Sequence, residues 1–275
     1  MKPVLFLVLI FFFVSSTIAQ GWMPQGARSA ALGNSSVSLV DLFSFHHNPG
    51  ALGFLENGGA AVSYESRFLL RELQSQSFVI AQPIQTGVLS LGGQFYGYET
   101  FRTNRVGAGY SMKLNDNFAA GVQINYLSLR LDPFYGVKHS VTGELGMLAK
   151  LGDDLSFGFS VMNLGRARLS EFKDDRFSTI LRLGTAYNIT KELLFIVELE
   201  QEVTYKTRMR SGLEYSPNDK FYVRAGVQGA PVEFSFGTGM KWSRVQLDLA
   251  SHYNQLLGWS PVASLLFNFN KPSVE

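Results

Sequence analysis

From Gly59 to the carboxyl terminus the sequence alternates apolar and polar residues with period two, in short stretches broken by Asn, Asp, Gly and Pro. Phe221, Val223, Ala225 and Val227 alternate with Tyr222, Arg224, Gly226 and Gln228, and an extended chain places the two sets on opposite sides. Val106, Ala108, Tyr110 and Met112 stand against Arg105, Gly107, Gly109 and Ser111 in the same way. So do Val232, Phe234 and Phe236 against Glu233, Ser235 and Gly237, and Val245, Leu247 and Leu249 against Gln246, Asp248 and Ala250. About fourteen such segments follow one another, among them 76–82, 104–114, 138–150 and 261–269, which predicts an all-β architecture.

Short and long connections alternate along this series. Pro83–Thr86, Asn115-Asp116, Gly152-Asp153, Ile189–Lys191, Ser216–Asp219 and Trp242–Arg244 are tight. Ser66–Ser75, Tyr98–Thr103, Leu131–Val137, Leu164–Phe177, Glu202–Thr207 and Asn254–Ser260 are longer, and Gly229-Ala230-Pro231 breaks the rule. Beyond the first residues no apolar run approaches the length of a membrane helix, so a membrane location requires a closed barrel. Outer-membrane barrels pair short periplasmic turns with longer external loops, and an even strand count returns both ends to the periplasmic side.

A soluble β-sandwich or lipocalin-like barrel shares the alternation but buries its apolar face. About fourteen strands form a ring too wide for apolar side chains to fill, so the fold class expected is a transmembrane antiparallel β-barrel with a polar lumen. Its lumen-facing charges are Arg105, Lys113, Glu144, Arg182, Glu198, Glu200, Arg208, Arg210, Glu214, Arg224, Glu233 and Asp248. Both signs are intermingled, which predicts a cross-linked interior, whereas an ion channel favours a ring of one sign. Tyr64, Tyr96, Tyr126, Tyr187, Tyr215, Trp242, Tyr253 and Trp259 suit an interfacial aromatic girdle, and Ala263, Leu265, Phe267 and Phe269 share a face near the terminus.

At the amino terminus Lys2 precedes an apolar run from Val4 to Val14, followed by Ser15-Ser16-Thr17-Ile18-Ala19. That layout predicts a signal peptide over 1–19. The chain of 275 residues carries no cysteine, which excludes disulfides, thiolate metal sites and a lipoprotein anchor; a formal charge of +2, evenly spread, gives no footprint for nucleic acid. Residues 20–58 are rich in Gly, Ala and Ser and too irregular for a strand, yet Leu39, Val40, Leu42, Phe43 and Phe45 call for burial. A plug or hatch packed against the strands is the expectation, with the barrel over 59–270 and a tail at 271–275.

Within that segment Gly26-Ala27-Arg28, the Ala31–Gly33 step and Asn48-Pro49-Gly50-Ala51-Leu52 resemble the start of the FadL-like outer-membrane barrels, especially the PorV/PorQ-type proteins of the Bacteroidetes. The resemblance implies a barrel of about this strand number with an amino-terminal plug. It also implies a role either in type IX protein secretion or in uptake of hydrophobic molecules, with outer-membrane lipid and secretion proteins or hydrophobic ligands as partners. The short chain, leaving little for external loops, favours the secretion-associated role, with a FadL-like conduit as the alternative. Gly50 stands where such proteins usually carry alanine.

Catalytic chemistry has little to stand on. Asp248 and His252 share a strand face but lie about 13 Å apart along it, too far for a dyad, which leaves an outer-membrane enzyme using His252 as a distant third reading. His46-His47 alone supplies fewer ligands than zinc requires. Gly107-Ala108-Gly109 and Gly237-Thr238-Gly239 lie inside strand patterns with no helix following, so they do not form a phosphate loop and are expected to make room in the lumen or permit curvature. No enzyme activity, cofactor or metal is expected.

Overall fold

The computed structural model describes residues 24–131, 136–166, 177–202, 207–218, 220–229 and 231–269; the expected signal peptide and carboxyl-terminal tail lie outside them. The strands are β1 (Gly59–Ser66), β2 (Gln74–Ile84), β3 (Gly87–Gly97), β4 (Phe101–Asn115) and β5 (Phe118–Leu131). There follow β6 (Val137–Leu151), β7 (Leu155–Met162), β8 (Ile180–Asn188), β9 (Leu193–Glu202) and β10 (Arg208–Asn218). The last are β11 (Phe221–Gln228), β12 (Glu233–Trp242), β13 (Val245–Asn254) and β14 (Gly258–Asn268). Each pairs antiparallel with its sequence neighbours, and β1 closes on β14 in the register Gly59↔Asn268 to Glu65↔Val262. Closure satisfies every ladder and leaves no edge, the condition for a sheet to survive in hydrocarbon. None of the described helices is long and apolar enough to cross a membrane.

Two connections expected to be long are short. The strands run further toward the loop end than the alternation alone marks, because β4 begins at Phe101 and β14 at Gly258. Gly97, at φ +102, turns the chain so that Tyr98 N donates to Phe101 O at 2.7 Å. Asn254 Oδ1 accepts from Leu256 N and Leu257 N at 2.9 and 3.0 Å, and Gly258 at φ +86 completes the second turn. A side-chain acceptor and a residue free to take positive φ thus replace a loop by a tight hairpin.

The wall is apolar outside and polar inside. On β5, Ile124 is 66% exposed while its neighbours Gln123 and Asn125 are 2% and 0% exposed, and Val141, Leu183, Val62 and Phe236 are likewise turned outward. A water-soluble barrel buries such side chains, at about 1.5–3 kcal/mol each; presenting them outward is favourable only in lipid. The outward aromatics form two belts: Tyr187, Tyr215 and Trp242 at the short-turn end, and Tyr64, Tyr126, Tyr253 and Trp259 at the loop end. Trp242 pairs with Val245, eight residues from Tyr253 on β13. That is about 27 Å along the strand, and about 21 Å of height at a usual tilt, close to the apolar band of such barrels. Tyr96 departs from the expected girdle. It shares the parity of Ser90 and Gln94, is buried at 5% exposure, and packs edge-on against Phe101 inside.

Residues 24–58 lie inside the ring. A one-turn helix, α1 (Ala27–Ala31), packs against β12, β13 and β14, and two 3-10 segments follow, Leu42–His46 and Pro49–Phe54. The second opens with Asn48, whose Oδ1 accepts from Gly50 N at 3.0 Å, and with Pro49 at its first position, the chemistry of a helix start. Leu42, Phe43, Phe45 and Leu52 pack on Ala61, Val79, Ala81, Val88 and Leu266, an apolar patch on the inner wall. Each of these four side chains contributes about 1.5–3 kcal/mol to holding the segment in place.

Candidate functional site

The lumen is filled because one inward glycine on each of several strands lets the amino-terminal backbone touch the wall. Gly33, at φ +67, sits so close to β11 that a Cβ there would meet Val227 N at 2.8 Å, and across from it a Cβ on Gly226 would fall on Leu32 and Gly33 backbone. Gly50 and Gly146 face each other in the same way: a Cβ on Gly50 would lie 2.6 Å from Met147 N, and one on Gly146 the same distance from Gly50 N. Gly50, the departure from the resembled pattern, is thus required by contact of backbone on backbone. The seats are in register, Gly121↔Gly146, Gly158↔Gly184 and Gly212↔Gly226. Sequence reasoning did not single them out as a set, although a glycine at an inward position on strand after strand was the available signal. Of the glycines it did single out, Gly237 seats Ala31, Gly239 makes room for Asp248 and Arg224, Gly107 lies against Asn125, and Gly109 against Ser90.

Polar contacts fasten the segment at fixed points. Asn48 is fully buried; its Nδ2 donates to Val37 O at 2.6 Å and to Met147 O of β6 at 2.9 Å. Ala27 N donates to Ser264 Oγ at 2.7 Å, and Ser111 Oγ donates to Pro49 O at 2.6 Å. Replacing Asn48 by alanine strands buried backbone groups, each costing about 1–3 kcal/mol. Asn48→Ala is therefore expected to make residues 24–58 cleavable in limited proteolysis of the folded barrel under conditions where the wild type resists; equal resistance would contradict the assigned role.

The charged residues form a buried belt that joins wall and segment. Arg105 of β4 meets Glu144 at 2.7 Å, and Asn125 donates to the same Glu144 oxygen at 2.8 Å. Arg182 contacts Glu200 at 2.9 Å, and Arg210 contacts Glu198 at 3.0 Å and Glu200 at 2.7 Å. Arg224 bridges Glu214 at 2.5 Å and Asp248 at 2.6 Å. Into this belt the segment inserts Arg28, forked onto Glu214 at 2.7 and 2.9 Å and reaching Asp41 at 3.3 Å. Ser36 N and Val37 N in turn donate to Glu198 Oε2 at 2.7 and 2.8 Å. Desolvated ions of this kind hold together only as complete sets, since a member left without its partner keeps its burial cost.

Three of the expected lumen charges sit elsewhere than in the belt. Lys113 is half-exposed at the short-turn end, where its Nζ donates to Asp116 at 2.8 Å; the ladder between β4 and β5 slips there, which frees it from enclosure. Arg208 is partly exposed at the loop end, 3.7 Å from Glu200. Glu233 lies at the loop-end mouth, accepting from Asn254 at 2.8 Å and from Gln228.

Asp248 and His252 are not brought together. Both Asp248 oxygens are engaged, by Arg224 and by Gln246 at 2.8 Å, while His252 lines a water-sized cavity with Glu65, Glu233 and Ser260. His46 and His47 also part company. Their Nε2 atoms face the carbonyls of Phe78, at 3.3 Å, and Gln25, at 2.8 Å, so each Nε2 carries the proton. Burial pushes the His46 imidazole down to about 3 and that of His47 well below its ordinary value, so both are neutral.

One open space borders the segment, and a separate water-sized void lies in the wall near the loop end. At the short-turn end a space of about 370 Å³ is bounded by Val40, Leu42, Leu55, Lys150, Lys241 and Leu266. At the loop end a space of about 10 Å³, room for one water, lies between Leu127, Met162, Phe177 and the Arg105–Glu144 pair.

A closed fourteen-stranded antiparallel barrel, apolar on its outer face and polar on its inner face, is the fold these observations define. No protein-family profile and no curated protein matches the sequence. Among solved structures the fold is that of FadL-type outer-membrane barrels. The Ralstonia pickettii toluene transporter TbuX superposes with a TM-score of 0.68 at 12% identity, over 91% of this chain and 100% of that one. The TodX monoaromatic hydrocarbon channel deltaS2 mutant gives 0.69 at 13% identity, over 91% and 100%. A Pseudomonas aeruginosa FadL homologue gives 0.66 at 12%, over 90% and 98%.

Proposed function

We propose that this chain is a bacterial outer-membrane barrel that passes hydrophobic small molecules, with residues 24–58 as the hatch that closes it and residues 1–19 as the export signal. The observation that carries the reading is the fold, shared along almost the full length of barrels described as toluene transporters and monoaromatic hydrocarbon channels. The lumen supports it: the segment borders the open space at the short-turn end, and several of its small hydroxyl groups contribute nothing to holding it. Ser29, Ser35, Ser36 and Ser38 are buried with hydroxyls that find no hydrogen-bond partner among the described residues. Each such group costs about 1–3 kcal/mol, which lowers the free energy needed to release the segment.

Uptake of radiolabelled toluene or long-chain fatty acid by cells lacking their own channel tests the reading. Expression of the chain is expected to raise the initial rate several-fold over vector alone. An unchanged rate, with the barrel shown to be folded in the outer membrane, would overturn it.

The second reading, a PorV/PorQ-like component of type IX secretion, draws on the leader motif and on the three-residue links 98–100 and 255–257, which leave a low rim for a partner to approach. The comparisons lend it no support. Deleting the gene and finding the secreted-protein profile unchanged would remove it.

A further inference from the structure

The outer wall is almost free of charge. Following the alternation of each described strand, the outward positions carry Lys, Arg, Asp or Glu at two places only, Arg102 on β4 and Arg130 on β5. These two are directly opposite each other in the ladder, and both are exposed. Like charges so placed have Cβ atoms about 5 Å apart and destabilise a sheet. Neither arginine has an acidic partner among the described residues.

Their height on the wall says what compensates them. Reading outward along β5, Val122 and Ile124 are followed by Tyr126, then Ser128, then Arg130. On the flanking strands the same levels hold Val106 and Val141 beside Tyr126, Asn104 and His139 beside Ser128, and Arg102 and Val137 beside Arg130. The polar level is internally bonded: Asn104 Nδ2 donates to Ser128 Oγ at 3.1 Å, and Tyr126 Oη lies 2.6 Å from His139 Nδ1. Apolar, aromatic, polar and cationic levels thus succeed one another from the membrane core to the rim on the loop side. That is the order of acyl chain, interface and headgroup in a leaflet.

We propose that Arg102 and Arg130 form a binding site for the phosphate of a phosphorylated glycolipid in the outer leaflet, whose acyl chains lie along Val106, Ile124 and Val141. Two guanidinium forks converging on one phosphate turn a repulsive pair into a charge-assisted clamp. The inference rests on the membrane reading of the wall, and goes beyond the proposed transport role because it concerns the lipid that surrounds the barrel.

The full barrel, extracted in detergent, is incubated separately with bisphosphorylated lipid A, with lipid A stripped of its phosphates, and with sodium phosphate, and adducts are read by native mass spectrometry. The wild type is expected to retain the phosphorylated lipid at least tenfold more than the stripped one. R102Q/R130Q should lower retention at least tenfold, R102K/R130K should restore part of it, and R71Q, at an exposed loop arginine, should leave it unchanged. Equal retention by R102Q/R130Q and wild type would overturn the site. Displacement by millimolar phosphate would assign it to a free anion and overturn the lipid. A chain that stays in aqueous buffer without detergent and shows no heat-dependent band shift would instead sink the membrane reading, an outcome distinct from either.

Discussion

Replacing Arg210 by methionine is expected to cost the folded barrel about 3–5 kcal/mol, about a hundredfold or more in its folding equilibrium. Arg210 is 2% exposed and holds both Glu198 and Glu200; without it Glu198 keeps the Ser36 and Val37 amides but, among the described residues, Arg182 at 3.9 Å is its one remaining cation. The loss comes mainly from the stranded carboxylate, so removing the charge as well should recover much of it. Arg210→Met combined with Glu198→Gln is predicted to regain more than half of the deficit, because the amide oxygen still accepts from Ser36 N and Val37 N. Urea unfolding in lipid vesicles, followed by tryptophan emission, measures all three proteins. A midpoint for Arg210→Met equal to that of the wild type would show that the belt does not bear on stability.

Gly146→Val is expected to change the lumen more than the wall. The added side chain would project into the Asn48 carboxamide, which is itself held by Val37 O and Met147 O, and into the Gly50 backbone, which cannot give way by rotating a side chain. Overpacking of this kind costs about 1–3 kcal/mol where neighbours can shift and more where they cannot. The segment should therefore leave its seat, giving step conductances in planar bilayers where the wild type is silent. Gly143→Val is the control on the same strand, since nothing lies within 4 Å of its Cβ position, and it should remain silent. Silence from Gly146→Val in a barrel with a normal heat-dependent band shift would show that residues 24–58 do not close the pore.

The wall was legible because period two leaves no freedom: once Ile124 faces lipid, Gln123 and Asn125 must face inward. Strand number and most short turns followed from that rule. Tyr96 was misplaced because residue type outweighed parity, and the links at 98–100 and 255–257 were overestimated because their turns depend on Gly97, Asn254 and Gly258 rather than on length. Alternation assigns each charge a side of its strand but names no partner for it. Glu198 and Glu200 share Arg210 only because β9 and β10 pair with Arg210 opposite Glu198. Apart from Gly237, the glycine seats on the strands are not marked by sequence, because each looks like an ordinary strand glycine until the segment it receives is in view. Resemblance of the leader motif pointed to the right fold, while its preference for secretion drew on chain length, which says little about cargo.

All of this depends on the apolar side of the wall meeting hydrocarbon. Of the three tryptophans, Trp242 and Trp259 are outward-facing in the two belts, so Trp22→Phe leaves only reporters on the wall. In bilayers of phospholipid brominated on the acyl chains, the emission of this variant is predicted to fall to well under half of its value in unbrominated lipid. Emission indifferent to bromine, from a chain with full β-structure, would place those faces away from lipid and contradict the account.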